Sequence, residues 1–214
     1  MLRAKLFFSF RSPYSYLAVS RYRALAASHE LSITLKPVYP LAIRDPDFFV
    51  RQNPAGMAYV IRDVQRLADY LGLPFRWPDP DPVVQDLETR AIAPEQPYIR
   101  RITRLGQVAA RRGLGLDFAA EAAGLIWGGT TGWQRGTHLR EAMERCGLDP
   151  DACENERAAD AEALDAEIAA NTRELEQAGH WGVPTLVFEG EPFFGQDRYD
   201  LAVWRMQQKG LKPI

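Results

Sequence analysis

Cysteine is nearly absent from this sequence of 214 residues, which contains only Cys146 and Cys153. They form no CxxC motif and no pair with the spacing of metal ligands. We therefore predict two ordinary thiols, no structural disulfide and no metal site. Redox chemistry that depends on a closely spaced pair of cysteines is excluded by the same observation.

Long apolar runs are also missing, since none approaches the roughly 20 residues that a membrane-spanning helix needs. The N-terminus has the character of a strand, and we predict neither a signal peptide nor a membrane partner. The formal net charge is only −2, which gives no reason to expect nucleic acid as a partner. Because 46% of the residues are hydrophobic, we expect a sizeable core. Together with the predicted lack of a signal peptide and of a membrane partner, this predicts a cytoplasmic protein.

A strand-to-helix junction near the N-terminus organises the chain. The apolar run from Lys5 to Phe10 is typical of a strand that is covered on both faces, and it stops at Arg11. Ser12 is a favoured helix N-cap, and Pro13 suits the first helical position. The unpaired amide groups of a helix N-terminus favour an anion, so Ser12 is a candidate to bind a thiolate or an oxyanion.

The order of the predicted elements indicates the fold. A strand, a helix and a second strand near the N-terminus predict a right-handed βαβ unit. The segment Val183–Phe188, a turn and a short strand predict a hairpin, which precedes a closing helix. We predict an α/β thioredoxin-like fold (βαβ … ββα) with a large all-helical insertion. Residues 1–38 plus 182–214 would form the thioredoxin-like domain, and residues 39–181 would form the insertion.

The insertion is expected to be helical because apolar residues recur there at spacings of three and four. Two segments rich in proline, residues 39–53 and 73–82, are predicted to be irregular. The predicted helices are 54–72, 98–109, 117–127, 133–146 and 161–179.

Four motifs, in order along nearly the whole chain, resemble the 2-hydroxychromene-2-carboxylate isomerases. That family is close to the kappa-class glutathione transferases and to the periplasmic disulfide oxidoreductases, within the thioredoxin-like group. The resemblance implies glutathione as cofactor, a small aromatic carboxylate as substrate and a homodimer. The motifs are Ser12-Pro13-Tyr14-Ser15-Tyr16-Leu17, Asn53-Pro54 with Tyr59 and Asp63, Gly182-Val183-Pro184-Thr185, and Gly195-Gln196-Asp197-Arg198.

The resemblance also implies roles for single residues. Ser12 matches the catalytic serine that contacts the glutathione sulfur. Val183 matches the residue before a cis-proline, Pro184, and its backbone would pair with the cysteinyl backbone of glutathione. Gln196 and Asp197 match a pair that holds the γ-glutamyl end.

Further positions complete the implied site. Asn53 matches a residue at the glutathione site. Gly56 departs from the pattern, because relatives usually carry a basic residue there, so this position offers no cation to the glycyl carboxylate of glutathione. The candidate contacts to the aromatic substrate are Arg11, Tyr14, His180 and Trp181.

Three classes of function are compared on these residues. A glutathione-dependent isomerase would use Ser12 to stabilise the thiolate, and a kappa-like glutathione transferase is a variant of the same chemistry. A thiol-disulfide oxidoreductase needs a cysteine at the helix N-terminus and usually another three positions on, where Ser12 and Ser15 stand. A non-catalytic binding protein could keep the groove, with Ser12, Asn53 and Asp197 serving only as helix caps.

Overall fold

The computed structural model describes residues 1–48, 50–51, 53–86, 88–89 and 91–214. Among these residues, four strands form one sheet in the spatial order β2-β1-β3-β4. The parallel pair is β1 (Leu2–Phe8) with β2 (Leu31–Pro37). Antiparallel pairs join β1 to β3 (Thr185–Phe188) and β3 to β4 (Glu191–Phe194). The predicted βαβ and ββα units are confirmed by this topology.

The other regular elements of the described chain are helices. The crossover helix α1 spans Pro13–Ser28, and α9 (Tyr199–Gln208) closes the fold after a single 3-10 turn at Gln196–Arg198. No helix in the described ranges is both long and apolar enough to cross a membrane. The helices between β2 and β3 are α2 (Leu41–Arg44), α3 (Pro54–Leu71), α4 (Pro97–Arg111), α5 (Gly115–Trp127), α6 (His138–Arg145), α7 (Pro150–Ala159) and α8 (Ala161–Gln177).

Strand β1 is covered on both faces, as its apolar sequence predicts. Leu6 and Phe8 belong to the main core, whereas Phe7 points to a second apolar cluster with Val38 and Leu175. Alternate residues of a strand face opposite sides of the sheet, so a strand with two buried faces needs an unbroken apolar run.

The helices between β2 and β3 pack directly on the sheet and on α1. Contacts join α4, α5 and α8 to β2, and α5 also packs along α1. One continuous cluster of buried side chains runs from β1 into α4, α5 and α6. The division of the chain at residues 38 and 182 stays a prediction.

Three local predictions were wrong. Residues 39–53 contain the one-turn helix α2, which is too short to show periodicity in sequence. The helix predicted from Trp133 begins only at His138, because Gly132 and Gly136 both adopt positive φ. Helix α7 was missed, although its cap Asp149 precedes a proline just as Ser12 does.

The strand-to-helix junction is held by the packing of Phe10. Its ring is fully buried and makes edge contacts with the rings of Phe8 and Phe118. The indole of Trp127 donates to the Phe10 carbonyl oxygen at 3.0 Å. A Cβ atom on Gly106 of α4 would lie 2.7 Å from the Phe10 ring, so only glycine allows this close approach.

We expect Gly106→Ala to lower the free energy of unfolding by about 1–3 kcal/mol, because the buried Phe10 ring has little room to move. Gly124→Ala in α5 is the matched control, since a Cβ there meets nothing within 4 Å. It should be neutral or stabilising by roughly 0.5–1 kcal/mol through helix propensity. Urea unfolding of both variants checks this, and equal stabilities would contradict the proposed packing constraint.

Candidate functional site

Ser12 lies between the end of β1 and the start of α1, and it contacts the segment that precedes β3. Its hydroxyl oxygen accepts a hydrogen bond from the Ser15 N–H at 3.1 Å, which caps α1. The hydroxyl itself donates to the carbonyl oxygen of Val183 at 3.3 Å. The Val183–Pro184 peptide bond is cis, as the sequence predicts. The cap and the cis-proline segment therefore meet at one end of the sheet.

A cavity of about 410 Å³ lies beside this junction. Helices α1 and α3, the cis-proline segment and the turn after β4 form its walls. Five of the site residues that the sequence predicts, Tyr14 among them, are therefore brought together here. The lining residues are Tyr14, Tyr59, Asp63, Leu67, Val183, Pro184, Phe194, Gly195, Gln196 and Asp197.

The backbone of Val183 presents hydrogen-bonding groups to this cavity. Within the described ranges its N–H has no acceptor, and its carbonyl oxygen receives the Ser12 hydroxyl. Main-chain groups of this kind are satisfied when an extended peptide adds as a short strand. The edge next to Pro184 is thus suited to a peptide ligand.

The turn after β4 is fixed by backbone and side-chain hydrogen bonds. The Gly195 N–H donates to the Pro184 carbonyl oxygen at 2.8 Å, and Gly195 has φ of 102°, where a side chain would also collide with Asp197. Gln196 is buried, and Arg21 donates to its Oε1 atom at 3.0 Å. The Nε2 amide group of Gln196 has no acceptor among the described residues, so it can donate to a ligand.

Asp63 joins two tyrosines within the cavity. The Tyr14 hydroxyl donates to Oδ2 of Asp63 at 2.9 Å, and the Tyr59 hydroxyl donates to Oδ1 at 3.2 Å. Burial, and then the hydrogen bond to Asp63, raise the pKa of Tyr14 far above its usual value, so this phenol stays protonated. Tyr59 and Asp63 are four residues apart on α3, a spacing that places them on one helix face.

Two predicted site residues are engaged elsewhere. Arg11 makes a two-pronged ion pair with Asp81, in the segment 73–82, with N–O distances of 2.8 and 2.9 Å. Asn53 is exposed and caps α3, accepting from the Ala55 N–H at 2.9 Å. Neither is among the residues that line the cavity, so their roles toward a ligand stay predictions.

His180 and Trp181 form an aromatic stack behind Phe194. The His180 ring lies 3.9 Å from the Phe194 ring and 5.4 Å from the Trp181 ring. The Gly182 N–H donates to His180 Nδ1 at 2.8 Å, which leaves the proton of a neutral imidazole on Nε2. Both residues lie outside the cavity lining, and their rings contact Phe194, which belongs to it.

The two cysteines lie apart from the residues that line the cavity. Cys146 and Cys153 are buried, and both are free thiols. Burial raises the pKa of the Cys146 thiol to about 11. A high pKa keeps a thiol protonated and therefore unreactive. Groups of side chains that could hold a metal ion are absent from the described residues.

Residues 4–207 match the model of the DSBA-like thioredoxin domains. The chain belongs to this family. The resemblance identified in the sequence is thereby confirmed at the level of family and fold. None of the curated proteins matches the sequence.

Solved structures with similar folds include both isomerases and oxidoreductases. A 2-hydroxychromene-2-carboxylate isomerase is 21% identical with a TM-score of 0.68, covering 97% of this chain and 95% of its own. A probable DsbA oxidoreductase from Streptomyces coelicolor is 16% identical with a TM-score of 0.67, covering 97% and 89%. The cytosolic disulfide reductase DsbM from Pseudomonas aeruginosa is 18% identical with a TM-score of 0.62, covering 97% and 99%, and it has also been solved with GSH. At these sequence identities, the similarity to solved structures shows the fold alone.

Burial of His180 predicts a pH-dependent stability. Burial lowers the pKa of His180 below its ordinary value near 6.5, so the unfolded chain binds this proton before the folded protein does. The free energy of unfolding should therefore fall as the pH drops below about 6.5. We expect His180→Asn to reduce this fall, measured by urea unfolding at pH 8 and pH 5.5. An unchanged pH dependence would show that His180 does not contribute.

Proposed function

We propose that this chain is a glutathione-dependent isomerase of an aromatic 2-hydroxychromene-2-carboxylate-type substrate. The observation that carries the proposal is the Ser12 hydroxyl at the N-terminus of α1, 3.3 Å from the Val183 carbonyl oxygen and beside Pro184. A helix N-terminus favours a thiolate, as in the cysteine enzymes of this fold. A serine cannot form a mixed disulfide, so a sulfur bound there remains available as a nucleophile.

The polar groups of the cavity fit glutathione. The Val183 N–H, which has no acceptor among the described residues, can pair with the cysteinyl part of the peptide. The Nε2 group of Gln196 can bind the γ-glutamyl end together with Asp197. We propose that Asn53 contributes from the exposed start of α3. A Cβ atom at Gly56 would meet open space, so the position usually occupied by a basic residue is empty.

Bound glutathione supplies a thiol that adds to the substrate and is later expelled, with no net oxidation or reduction. Its ordinary pKa of about 8.5 must fall for this to be efficient at neutral pH. Ser12 contributes by turning its hydroxyl from the Val183 carbonyl to the sulfur, because a hydrogen bond to a thiolate stabilises the charged form. The amide groups at the start of α1 act in the same direction.

We propose that the aromatic substrate binds next to the junction of Ser12 and Val183. We propose Arg11, Tyr14, His180 and Trp181 as its contacts, with Arg11 acting while it remains bonded to Asp81. Tyr14 lines the cavity as a neutral phenol. The stack of His180, Trp181 and Phe194 provides flat apolar surface on which an aromatic ring can pack.

A kappa-like glutathione transferase is the alternative, since the same residues would activate the thiolate for another electrophile. Isomerisation leaves the substrate and product with equal mass, whereas transfer yields a stable glutathione adduct. Mass spectrometry of the products therefore separates the two. A non-catalytic binding protein would retain glutathione on an affinity column and show neither reaction.

We also propose a cytoplasmic location and a homodimer. The disulfide-free sequence suits a reducing compartment, and the similar protein DsbM is described as cytosolic. The dimer rests on the resemblance to the isomerases. Analytical ultracentrifugation checks it directly.

We expect Ser12→Ala to lower glutathione-dependent turnover by roughly 10- to 150-fold. The lost hydrogen bond to an ionised sulfur is typically worth about 1.5–3 kcal/mol, and each 1.36 kcal/mol is tenfold in rate. The pKa of the bound thiol should rise at the same time. Thiolate absorbance of the glutathione complex, titrated in wild type and variant, measures this second effect.

Asp149→Ala provides the matched control, because Asp149 caps α7 next to a proline and its side chain accepts hydrogen bonds from the first turn of that helix. Both variants should lose about 0.5–2 kcal/mol of stability from the missing cap. Only Ser12→Ala should change turnover and the thiol titration. If wild type and Ser12→Ala bind glutathione equally and their thiol titration curves coincide, Ser12 is only a helix cap.

A further inference from the structure

Another cavity, of about 180 Å³, lies between the start of α4 and the segment that leads into α6. Ile102, Trp133 and Leu139 form its floor and are almost fully buried. Pro97 and Tyr98 also line it and keep part of their surface accessible, so the cavity opens on their side. Its described lining residues all differ from those of the cavity of about 410 Å³. The two cavities are therefore separate sites.

Most of the wall of this second cavity is apolar, and its ionic group is paired. The Trp133 indole donates its N–H to the Pro80 carbonyl oxygen at 2.8 Å, so its ring contributes apolar surface. The Arg101 guanidinium binds the Glu154 carboxylate, with Nε 2.9 Å from Oε1, and donates to the Gln134 carbonyl oxygen at 3.1 Å. A charged ligand would have to compete with this ion pair, so the cavity favours a neutral molecule.

A polar atom of the wall lacks a partner in the described structure. Gln134 lines the cavity, and its Oε1 atom is buried and accepts no hydrogen bond from the described residues. Most buried side-chain oxygens in proteins are hydrogen-bonded, so an exception beside a cavity indicates a missing partner. That partner must bring a donor, because an amide oxygen can only accept. A hydroxyl group meets this requirement without adding charge.

The size of the cavity limits the ligand to one ring. A cavity of about 150 Å³ with aliphatic and aromatic walls holds a benzene molecule. The rings of Tyr98 and Trp133 stand edge to face, 6.4 Å apart between centroids, and offer a third ring the same kind of contact. The terminal torsion of a glutamine is soft, so a small rotation turns the Gln134 amide toward a ligand.

We propose that this second cavity binds a small neutral aromatic molecule that carries a hydroxyl group and has the size of phenol. The ring packs against Trp133 and Ile102, and the hydroxyl donates to Oε1 of Gln134. This site is independent of the glutathione-dependent chemistry proposed above, because it shares no described lining residue with the cavity beside Pro184.

Calorimetry with phenol, toluene and benzoate tests the class of ligand. We expect saturable binding of phenol, with a Kd below about 1 mM. Toluene has the same ring without the hydroxyl and should bind at least about fivefold more weakly, since the Gln134 oxygen then stays buried and unpaired. Benzoate is charged and should not bind. The inference is overturned if phenol does not saturate, or if toluene or benzoate binds at least as tightly as phenol.

A variant of Gln134 tests where phenol binds. Gln134→Met keeps the length of the side chain and removes the amide, so toluene should then bind at least as tightly as phenol. Gln65→Met is the matched control, because Gln65 is exposed on α3 and its amide donates to Asp69 at 3.0 Å. It should keep the preference for phenol. An unchanged preference in Gln134→Met would overturn the inference.

Nuclear magnetic resonance of the wild-type protein locates the ligand without any substitution. In ¹⁵N-labelled protein, saturation with phenol should shift the indole N–H resonance of Trp133, which lies in the floor of the second cavity. Shifts confined to the residues of the cavity beside Pro184 would overturn the inference. If Gln134→Met does not fold, this measurement still decides.

Discussion

The antiparallel pairing of β1 with β3 is the constraint on which the candidate site depends. It places Phe7 opposite Thr185, so the end of β1 and the start of β3 lie side by side. Ser12 follows the first and Val183 precedes the second, which brings their hydroxyl and carbonyl groups to 3.3 Å. Residues 171 positions apart in sequence therefore become neighbours through a ladder of backbone hydrogen bonds. A change that weakened this pairing would separate the cap of α1 from the cis-proline segment.

The helices between β2 and β3 stabilise this junction from behind. Gly106 and Trp127 hold Phe10, and Asp81 holds Arg11, so the two residues before Ser12 are both fixed by that part of the chain. A functional group needs such support, because a small displacement of a catalytic side chain costs much of its effect. Arg11 is consequently as much a positioning element as a candidate ligand contact.

The cavity combines two kinds of recognition. The backbone of Val183 can bind any extended peptide, whereas Asp63, Tyr14 and the Gln196 amide present fixed side-chain groups of defined sign. Backbone pairing supplies affinity with little selectivity, and side-chain groups supply the discrimination. In the proposed function Ser12 adds neither, since its position at a helix N-terminus would serve the reactivity of a bound sulfur. These separate tasks explain why polar side chains such as Asp63 and Gln196 stand among apolar residues in the lining of the cavity.

Local sequence determined the parts of this protein that depend on neighbouring residues. The cap Ser12-Pro13, the apolar run of β1, the helix ending at Gly72 and the hairpin turn at Gly190 follow from propensity and periodicity over a few positions. The absence of a CxxC motif likewise made cysteine-based redox chemistry the less favoured prediction. The four motifs also indicated which segments would meet.

Tertiary structure alone decided what each side chain does there. Arg11 pairs with Asp81, Tyr14 and Tyr59 share Asp63, and the Nε2 group of Gln196 is left as a donor because Arg21 bonds to Oε1. Most of these contacts join residues tens to hundreds of positions apart, and no local propensity encodes a partner at that distance. Hydrogen bonds and charges depend on separation in space, which is set only when the sheet and helices have packed.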